Sequence, residues 1–302
     1  MKTTKIILGL ALVAIFSLTS CSKDSNSSDT SLTSADVLTS RKIDQASDDV
    51  SSVVEEQEAN TYVDVTAGKT ADLANSMLSD CAHVTRVPDF GTAPTVGQTV
   101  TKTIDFSFNN PAGCTLANGT VLKGKIIISF VYDPSATSHT INYSFDNFYH
   151  NGNLVSNTST RTVTRTMAGS TLLTAVHPIH TMDIDMTVTM AASGGVYHRV
   201  GTRTRECVAG FGLPINSDAR VYKVYGNMTT TRPDGGTQTN VILVATPLTF
   251  KNNCQYKLVS GIITITRPNH TAVIDYGNES DCDANYTIAI DGGTPVAHTF
   301  GN

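Results

Sequence analysis

The sequence predicts an all-β protein: a long antiparallel meander that forms a barrel or a sandwich, preceded by one N-terminal amphipathic helix. The strongest observation is residues 180–190, where Met182, Ile184 and Met186 alternate with polar side chains. Glycine-containing turns such as Asn151-Gly152 separate the alternating segments, and short links favour antiparallel hairpins. Further strands are predicted near 98–108, 120–132, 139–149, 154–167, 196–207, 219–231, 238–247, 256–266, 270–276 and 284–290.

Residues 1–20 are predicted to be a lipoprotein signal peptide. Two lysines precede an apolar run over 6–16, which is shorter than the about 20 residues of a membrane span. The run ends in Leu-Thr-Ser-Cys, which resembles a bacterial lipobox with Cys21 as the acylated residue. The alternative is an ordinary cleaved signal peptide whose following cysteine joins a disulfide.

Acylation of Cys21, by palmitate and further chains, would make the lipid bilayer the first partner of this protein. One acyl chain binds a bilayer marginally and two or more bind it stably. Ser22 occupies the position at which some bacteria use aspartate to retain lipoproteins at the inner membrane. Because it is not aspartate, we expect the protein to be located in the outer membrane. Lys23-Asp24 partly resembles a surface-export signal, so we expect the cell surface in preference to the periplasmic face.

The mature chain is predicted to begin with a tether and a helix. Residues 21–34 form a lipidated, serine-rich tether, and residues 35–60 form an amphipathic helix with Ser34 as its N-cap. Acidic residues near Glu58 oppose the helix dipole, so that end is expected to fray. The helix packs on the domain or forms a loose stalk, or alternatively it binds a partner. Residues 61–302 form a single antiparallel β-domain.

The charge of the chain excludes one class of partner. The formal net charge of the 302 residues is −5, and removing a leader with two lysines and no acids makes it −7. A nucleic-acid-binding protein would show a basic patch instead. We therefore expect no nucleic-acid partner.

Five cysteines follow Cys21, an odd number for an oxidising compartment. Two parallel units occur, each with a cysteine, a strand that ends Ile-Asp-aromatic, a loop and a second cysteine. This parallel predicts Cys81–Cys114 and Cys254–Cys282 disulfides, each worth about 3 to 4 kcal/mol in a chain-entropy model. Sequence alone leaves other connectivities open. Cys207 is expected to be a buried free thiol.

Three segments together resemble a family of uncharacterised, flavobacterial-type lipoproteins of the Bacteroidota. They are GCTLANGTVLKGKIIISF (113–130), FDNFYHNGN (145–153) and IDYGNESDCDANYTIAIDG (274–292). The resemblance covers most of residues 35–300 and implies a β-rich, disulfide-stabilised lipoprotein without supplying an activity. Family members often carry Asp at the position of Asn118 and Trp at that of Cys207, which supports Cys207 as the unpaired cysteine.

Two charged or ligand-like patterns stand out along the strands. Asp183 and Asp185 lie between strands that carry Arg161, Arg165, Arg199, Arg203 and Arg205, so acids and bases are expected to pair across a solvated sheet face, with an acidic-ligand site as the alternative. Asp281, Asp283 and Asn285 alternate like the start of a calcium loop. The sequence suggests no cofactor other than a structural calcium at these residues. Tyr286 and Gly292 stand where such a loop needs Gly and Glu, so acids of a turn beside the disulfide are the preferred interpretation.

The best ligand-binding candidate in the sequence is the hairpin tip at Asn147, Phe148, Tyr149, His150 and Asn151. Aromatic rings beside amides can stack on a sugar and bond to its hydroxyls. Core aromatics capped by a polar turn are the alternative.

No catalytic motif is found: the chain lacks Gly-x-Ser-x-Gly, His-Glu-x-x-His, a P-loop and Cys-x-x-Cys. We therefore expect a non-enzymatic cell-envelope lipoprotein that acts as a scaffold or binding module for a protein or glycan partner. The alternatives are a glycan-binding accessory protein of the cell surface and, behind it, a hydrolase.

Overall fold

A computed structural model describes residues 31–67, 78, 81–116, 118–157, 161–215 and 217–300. The predicted signal peptide, Cys21 and the tether up to residue 30 lie outside these residues. The prediction of an all-β protein with one helix near its N-terminus is confirmed, since all seventeen strands belong to one antiparallel sheet. The helix lies inside the curve of this sheet.

The elements follow one another in a simple order. The helix is α1 (Ser34–Ala67). The strands are β1 (His83–Val87), β2 (Thr99–Asp105), β3 (Cys114–Thr115), β4 (Val121–Val131), β5 (Ser138–His150), β6 (Asn153–Ser156), β7 (Arg161–Ala168), β8 (His177–Thr189), β9 (Val196–Ala209), β10 (Val221–Thr231), β11 (Thr237–Ile242), β12 (Leu248–Lys251), β13 (Leu258–Ser260), β14 (Ile262–Arg267), β15 (His270–Asp275), β16 (Asn285–Ile290) and β17 (Val296–Thr299).

Strand pairing follows chain order, as in a meander. β4, β5, β8, β9 and β10 are the long central strands, and each pairs with a neighbour in sequence. β6 and β7 pair with different ends of both β5 and β8, so together they fill one strand position. β11 and β12 fill one position beside β10 in the same way. β15, β16 and β17 complete the other end of the sheet.

Two glycines in the central strands allow the sheet to bend. Gly201 in β9 has φ +150° and Gly226 in β10 has φ +143°. A Cβ atom at Gly201 would lie 2.2 Å from the Asn227 carbonyl oxygen, and one at Gly226 would lie 2.3 Å from the Thr202 oxygen. Glycine kinks of this kind give sheets strong curvature.

The helix begins at a reciprocal cap formed by Thr33 and Asp36. The Asp36 carboxylate accepts hydrogen bonds from the Thr33 backbone N–H at 2.9 Å and from its hydroxyl at 2.6 Å. The Asp36 N–H donates to Thr33 Oγ1 at 3.3 Å. Thr33, one residue before the predicted Ser34, is therefore the capping residue.

The helix is enclosed by the sheet, which corrects the expectation of a helix with one polar face and a frayed acidic end. Residues 53–58 are buried without interruption, and this run exceeds one helical turn. Glu55, Glu56 and Glu58 are at most 3% exposed. The helix continues to Ala67. Strands on several sides supply partners for its polar side chains and, from Lys102, for the Gln57 carbonyl oxygen. These partners include Lys102, His150, Arg165, Arg203, Asn240 and Arg267.

Two apolar clusters hold the helix and the sheet together. The larger one joins the middle of the helix, including Ile43, Val50 and Val54, to strands β2 to β8. The second joins Leu32 and Val37 to strands β10 to β16. Each fully buried side chain of this size contributes roughly 1.5–3 kcal/mol.

A polar layer connects the helix to β9 and β11. Asp44 Oδ1 pairs with Arg199 Nη1 and, at 2.7 Å, with Arg203 Nη2. Arg203 Nη1 lies 2.6 Å from Asp48 Oδ1, so one guanidinium bridges two carboxylates of the helix. Asn240 Nδ2 donates to Asp44 Oδ2 at 3.0 Å. Burial lowers the pKa of Arg203, but Asp48 and Asp44 outweigh that effect and raise it.

The charged strand residues thus divide between the two faces of the sheet. Arg161 pairs with Asp185, as expected for a cross-strand ion pair, and His198 Nε2 joins Asp185 at 2.7 Å. The expectation of a solvated face was wrong for Arg199 and Arg203, which are at most 1% exposed because they point at helix carboxylates. Arg165 and Arg205 also contact the helix, through Glu58 and Glu55.

The structure contains the Cys81–Cys114 and Cys254–Cys282 disulfides, the pairs that the repeated sequence unit predicts. Cys207 is a buried free thiol that is 1% exposed. Burial raises the pKa of this thiol. Both effects reduce the supply of reactive thiolate.

Replacing Arg203 with Met should lower the free energy of unfolding by about 3–5 kcal/mol, because the buried Asp44 and the mostly buried Asp48 lose their shared cation. Urea denaturation at pH 7 measures this loss. The matched control is Arg161→Met, which breaks a partly exposed pair and should cost about 1 kcal/mol or less. Equal losses for the two variants would show that the polar layer does not hold the helix.

Cys207 should resist alkylation in the native protein and react only after unfolding, because its sulfur is buried and its pKa is raised. Iodoacetamide labelling with and without urea, followed by non-reducing peptide mapping, measures this. The same maps report the four disulfide cysteines. Labelling of Cys207 in the native protein, or its recovery in a disulfide, would contradict the structure.

Candidate functional site

The structure separates the five residues predicted at the hairpin tip. Phe148 is fully buried in the larger apolar cluster, and His150 is 2% exposed. His150 Nε2 lies 2.8 Å from Asp49 Oδ2 of the helix. Tyr149 is half-buried, whereas Asn147, at a register irregularity within β5, and Asn151, in the turn that follows, are exposed residues with positive φ. These side chains do not form one exposed surface, because alternation along β5 sends Phe148 and His150 inwards.

The calcium candidate residues serve local turns. Asp283 Oδ1 accepts a hydrogen bond from the Asn285 backbone N–H at 3.2 Å, and Asp283 Oδ2 accepts one from the Asn285 side-chain amide at 2.7 Å. Asp281 accepts from the Ser280 hydroxyl at 3.0 Å. Within the described ranges, no group of three or more His, Cys, Asp or Glu side chains has an arrangement that could hold a metal ion.

The same acidic loop borders a pocket of about 570 Å³. The pocket lies between α1 and strands β15, β16 and β17, beside the Cys254–Cys282 disulfide. Its volume is in the range of small-molecule sites. The lining residues are Leu38, Asp275, Tyr276, Gly277, Asn278, Asp281, Asp283, Asn285, Tyr286, Thr287, Ala297, His298 and Thr299.

The charged side chains among the residues that line this pocket are aspartates. Asp275, Asp281 and Asp283 are exposed, and the lining contains neither lysine nor arginine. A hydrogen bond of 2.8 Å from the Gly277 N–H orients the Asp275 carboxylate. The rim therefore concentrates negative potential at the opening of the pocket.

Two side chains of the lining each carry a buried polar atom that has no hydrogen-bond partner among the described residues. These atoms are Tyr286 Oη, on a side chain that is 3% exposed, and His298 Nε2. The two rings stack on each other with centroids 5.4 Å apart. Buried polar atoms in native proteins are nearly always paired with protein or water, so these two atoms are candidates to bind a ligand.

Aromatic and cationic packing shapes the inner wall of the pocket. Tyr276 and Phe300 lie within 6 Å of the Tyr286 ring, centroid to centroid. The Arg41 guanidinium of the helix lies 5.1 Å from the Tyr286 ring centre. Burial raises the pKa of Tyr276 strongly, so this phenol stays protonated. The wall is preformed because its members are packed against one another.

A second cluster of titratable groups surrounds Glu55 inside the protein. Glu55 Oε2 lies 3.5 Å from Arg205 Nη1 and 3.6 Å from His180 Nδ1. Arg205 also donates to the Ser52 hydroxyl at 2.5 Å. Burial raises the pKa of Glu55 to about 7 and pushes the pKa of His180 well below its ordinary 6.5. The cluster is enclosed, so we assign it to helix packing.

Comparison with protein families, with curated proteins and with solved structures finds no match to this chain. In the part of the chain that the structure describes, no helix has the length and apolar character of a membrane span. The pocket geometry therefore carries the functional argument.

Sequence analysis identified only part of this site. The alternation of Asp281, Asp283 and Asn285 marked the acidic loop, but Tyr276, Tyr286 and His298 were missed. His298 lies on β17, a short strand that periodicity did not reveal. The Asp-Tyr-Gly and Asn-Tyr sequences at 275–277 and 285–286 were the available signal.

The Glu55→Gln variant should remove a pH dependence of stability that Glu55 imposes. Because the pKa of Glu55 rises from 4.5 to about 7 on folding, its contribution is complete below pH 4.5 and lost as pH rises through 7. Between pH 4.5 and pH 8, the free energy of unfolding of the variant should rise by about 3 kcal/mol relative to that of wild type. Urea denaturation at matched ionic strength measures it.

Both proteins share the charged groups that face Glu55, namely Asp48, Glu58, His180, Arg205 and Arg220, so the difference isolates the carboxyl. Asp218→Asn, which removes a carboxylate at an exposed position, is the control. A wild-type-to-variant difference that stays constant from pH 4.5 to pH 8 would show that Glu55 is ionised with an ordinary pKa.

Proposed function

We propose that this protein is a lipid-anchored, non-enzymatic binding module of the cell envelope, related to the Bacteroidota lipoproteins that it resembles. The lipobox-like sequence at Cys21 supports the anchor, and the serine-rich tether gives the domain reach from the membrane. In this proposal the protein sits on the outer membrane, with its domain at the cell surface.

The observation that carries the binding role is the pocket between α1 and β15 to β17. It combines a preformed aromatic wall with two unpartnered polar atoms, on Tyr286 and His298. Recognition of a polar ligand is the role that these groups support best.

A glycan-binding accessory protein is the second candidate, and the pocket lining favours it over a protein scaffold. Asn278 and Asn285 supply amide groups, and Thr287 supplies a hydroxyl. Such groups can both donate and accept hydrogen bonds, as sugar hydroxyls require. The pocket replaces the hairpin tip as the proposed glycan site.

Membrane anchoring is tested with the full chain and its Cys21→Ser variant, expressed in a Gram-negative host. Wild type should partition into the detergent phase of Triton X-114, and the variant into the aqueous phase, because only acylated chains carry enough apolar surface. Aqueous partitioning of the wild type would contradict the anchor.

Ligand binding is tested on a glycan array with three proteins: wild type, Ala297→Trp and Tyr149→Ala. Ala297 is exposed at the pocket, so a tryptophan there should fill the pocket without disturbing the core. We expect wild type and Tyr149→Ala to bind, and Ala297→Trp to lose at least tenfold in affinity. Loss in Tyr149→Ala alone would return the site to the hairpin tip.

A further inference from the structure

We propose that the pocket binds a cationic amino sugar unit, whose ammonium group lies at Asp275, Asp281 and Asp283. This inference rests on the proposed glycan-binding role and narrows it to one class of glycan. It is argued from the charge, the unpartnered atoms and the size of the pocket, in that order.

The charge of the lining excludes most glycans that carry a charge. Three exposed carboxylates border the pocket, and the lining residues include no lysine or arginine. The Arg41 guanidinium packs on the Tyr286 ring of the inner wall, on a side chain that is 8% exposed, so the exposed charge at the opening is negative. Among the described residues, none of the three forms a salt bridge, whereas Glu279 of the same loop pairs with Lys223 at 2.7 Å. Uronate, sulfate or phosphate units would be repelled, and an ammonium group would be attracted.

The unpartnered atoms distinguish a sugar from a simple amine. Tyr286 Oη is buried on a side chain that is 3% exposed, and it has no hydrogen-bond partner. His298 Nε2 is also unpartnered and lies on the ring that stacks on Tyr286. A sugar hydroxyl can accept a hydrogen bond from one group while it donates a hydrogen bond to another, whereas an alkylammonium group can only donate.

The size of the pocket sets the length of the ligand. About 570 Å³ holds a unit of one to two sugar rings, with Leu38 and Ala297 supplying apolar contacts. The open rim leaves room for the rest of a chain. The combination of ammonium, hydroxyls and a compact ring therefore points to an amino sugar within an oligosaccharide, in preference to a lysine-containing peptide.

The test uses a matched pair of probes: the trimer of β-1,4-linked glucosamine and its fully N-acetylated form. They differ only in the charge and acetylation of the amino group. Isothermal titration calorimetry at pH 6, where the amines are largely protonated, is carried out at low and at physiological salt. Gly-Lys-Gly and cellotriose serve as the peptide and neutral-glycan arms.

Wild type should bind the glucosamine trimer at least tenfold more tightly than the acetylated trimer or cellotriose at low salt, and the preference should shrink as salt rises. The Asp281→Asn/Asp283→Asn variant should abolish the preference. Asp146→Asn/Asp218→Asn, which removes the same charge at exposed positions outside the pocket lining, should keep it.

Tyr286→Phe separates a binding role from a structural one. It should weaken binding of the glucosamine trimer at least threefold while leaving the melting temperature of the free protein unchanged or higher, because it removes an unpartnered buried hydroxyl. A large fall in melting temperature together with the affinity would assign the hydroxyl to folding and count against the proposal.

The remaining outcomes are distinct. Equal affinity for the glucosamine trimer, its acetylated form and cellotriose would overturn the amino sugar inference and leave glycan binding standing. Binding of Gly-Lys-Gly alone would overturn the glycan class while a cation-binding pocket remains. No binding by any probe, together with a blank glycan array, would overturn the inference and the glycan-binding role.

Discussion

The burial of an acidic helix inside a sheet is the constraint on which the rest of this structure depends. Carboxylates such as those of Asp44 and Asp48 are costly to bury in their ionised form unless cations reach them. Arg199 and Arg203 meet that need from one strand, and their approach positions β9 against the helix. The curvature of β9 and β10 follows from the same requirement, because the sheet must bend around its own helix.

The enclosed helix also positions the candidate site. The capped N-terminal turns bring Leu38 and Arg41 beneath β16, where Arg41 packs on Tyr286. The Cys254–Cys282 disulfide ties the neighbouring loop to the sheet. The pocket is therefore bordered by elements that other interactions hold in place, so ligand binding would cost little free energy for ordering the site.

Different parts of the molecule carry opposite electrostatic designs. Inside, acids and bases are matched, and the Glu55 cluster is partly neutralised because burial raises the pKa of the carboxyl. At the pocket rim, Asp281 and Asp283 are exposed, and the lining residues include no lysine or arginine to pair with them. Paired charges in the interior allow the helix to be buried, whereas unpaired charges at a pocket opening can attract a ligand of opposite charge, and this contrast separates the fold from the proposed function.

The sequence by itself indicated most of the strands and turns and favoured the two cysteine pairs, because a period of two and a repeated spacing are local signals. It showed that Arg199 and Arg203 share a face but placed that face in solvent, since polar residues are usually exposed. Only the tertiary structure decided that the face is internal, because the carboxylates that neutralise these arginines in the interior lie about 155 residues away along the chain. The pocket likewise depends on tertiary structure, because it forms where the N-terminal helix packs against the last strands.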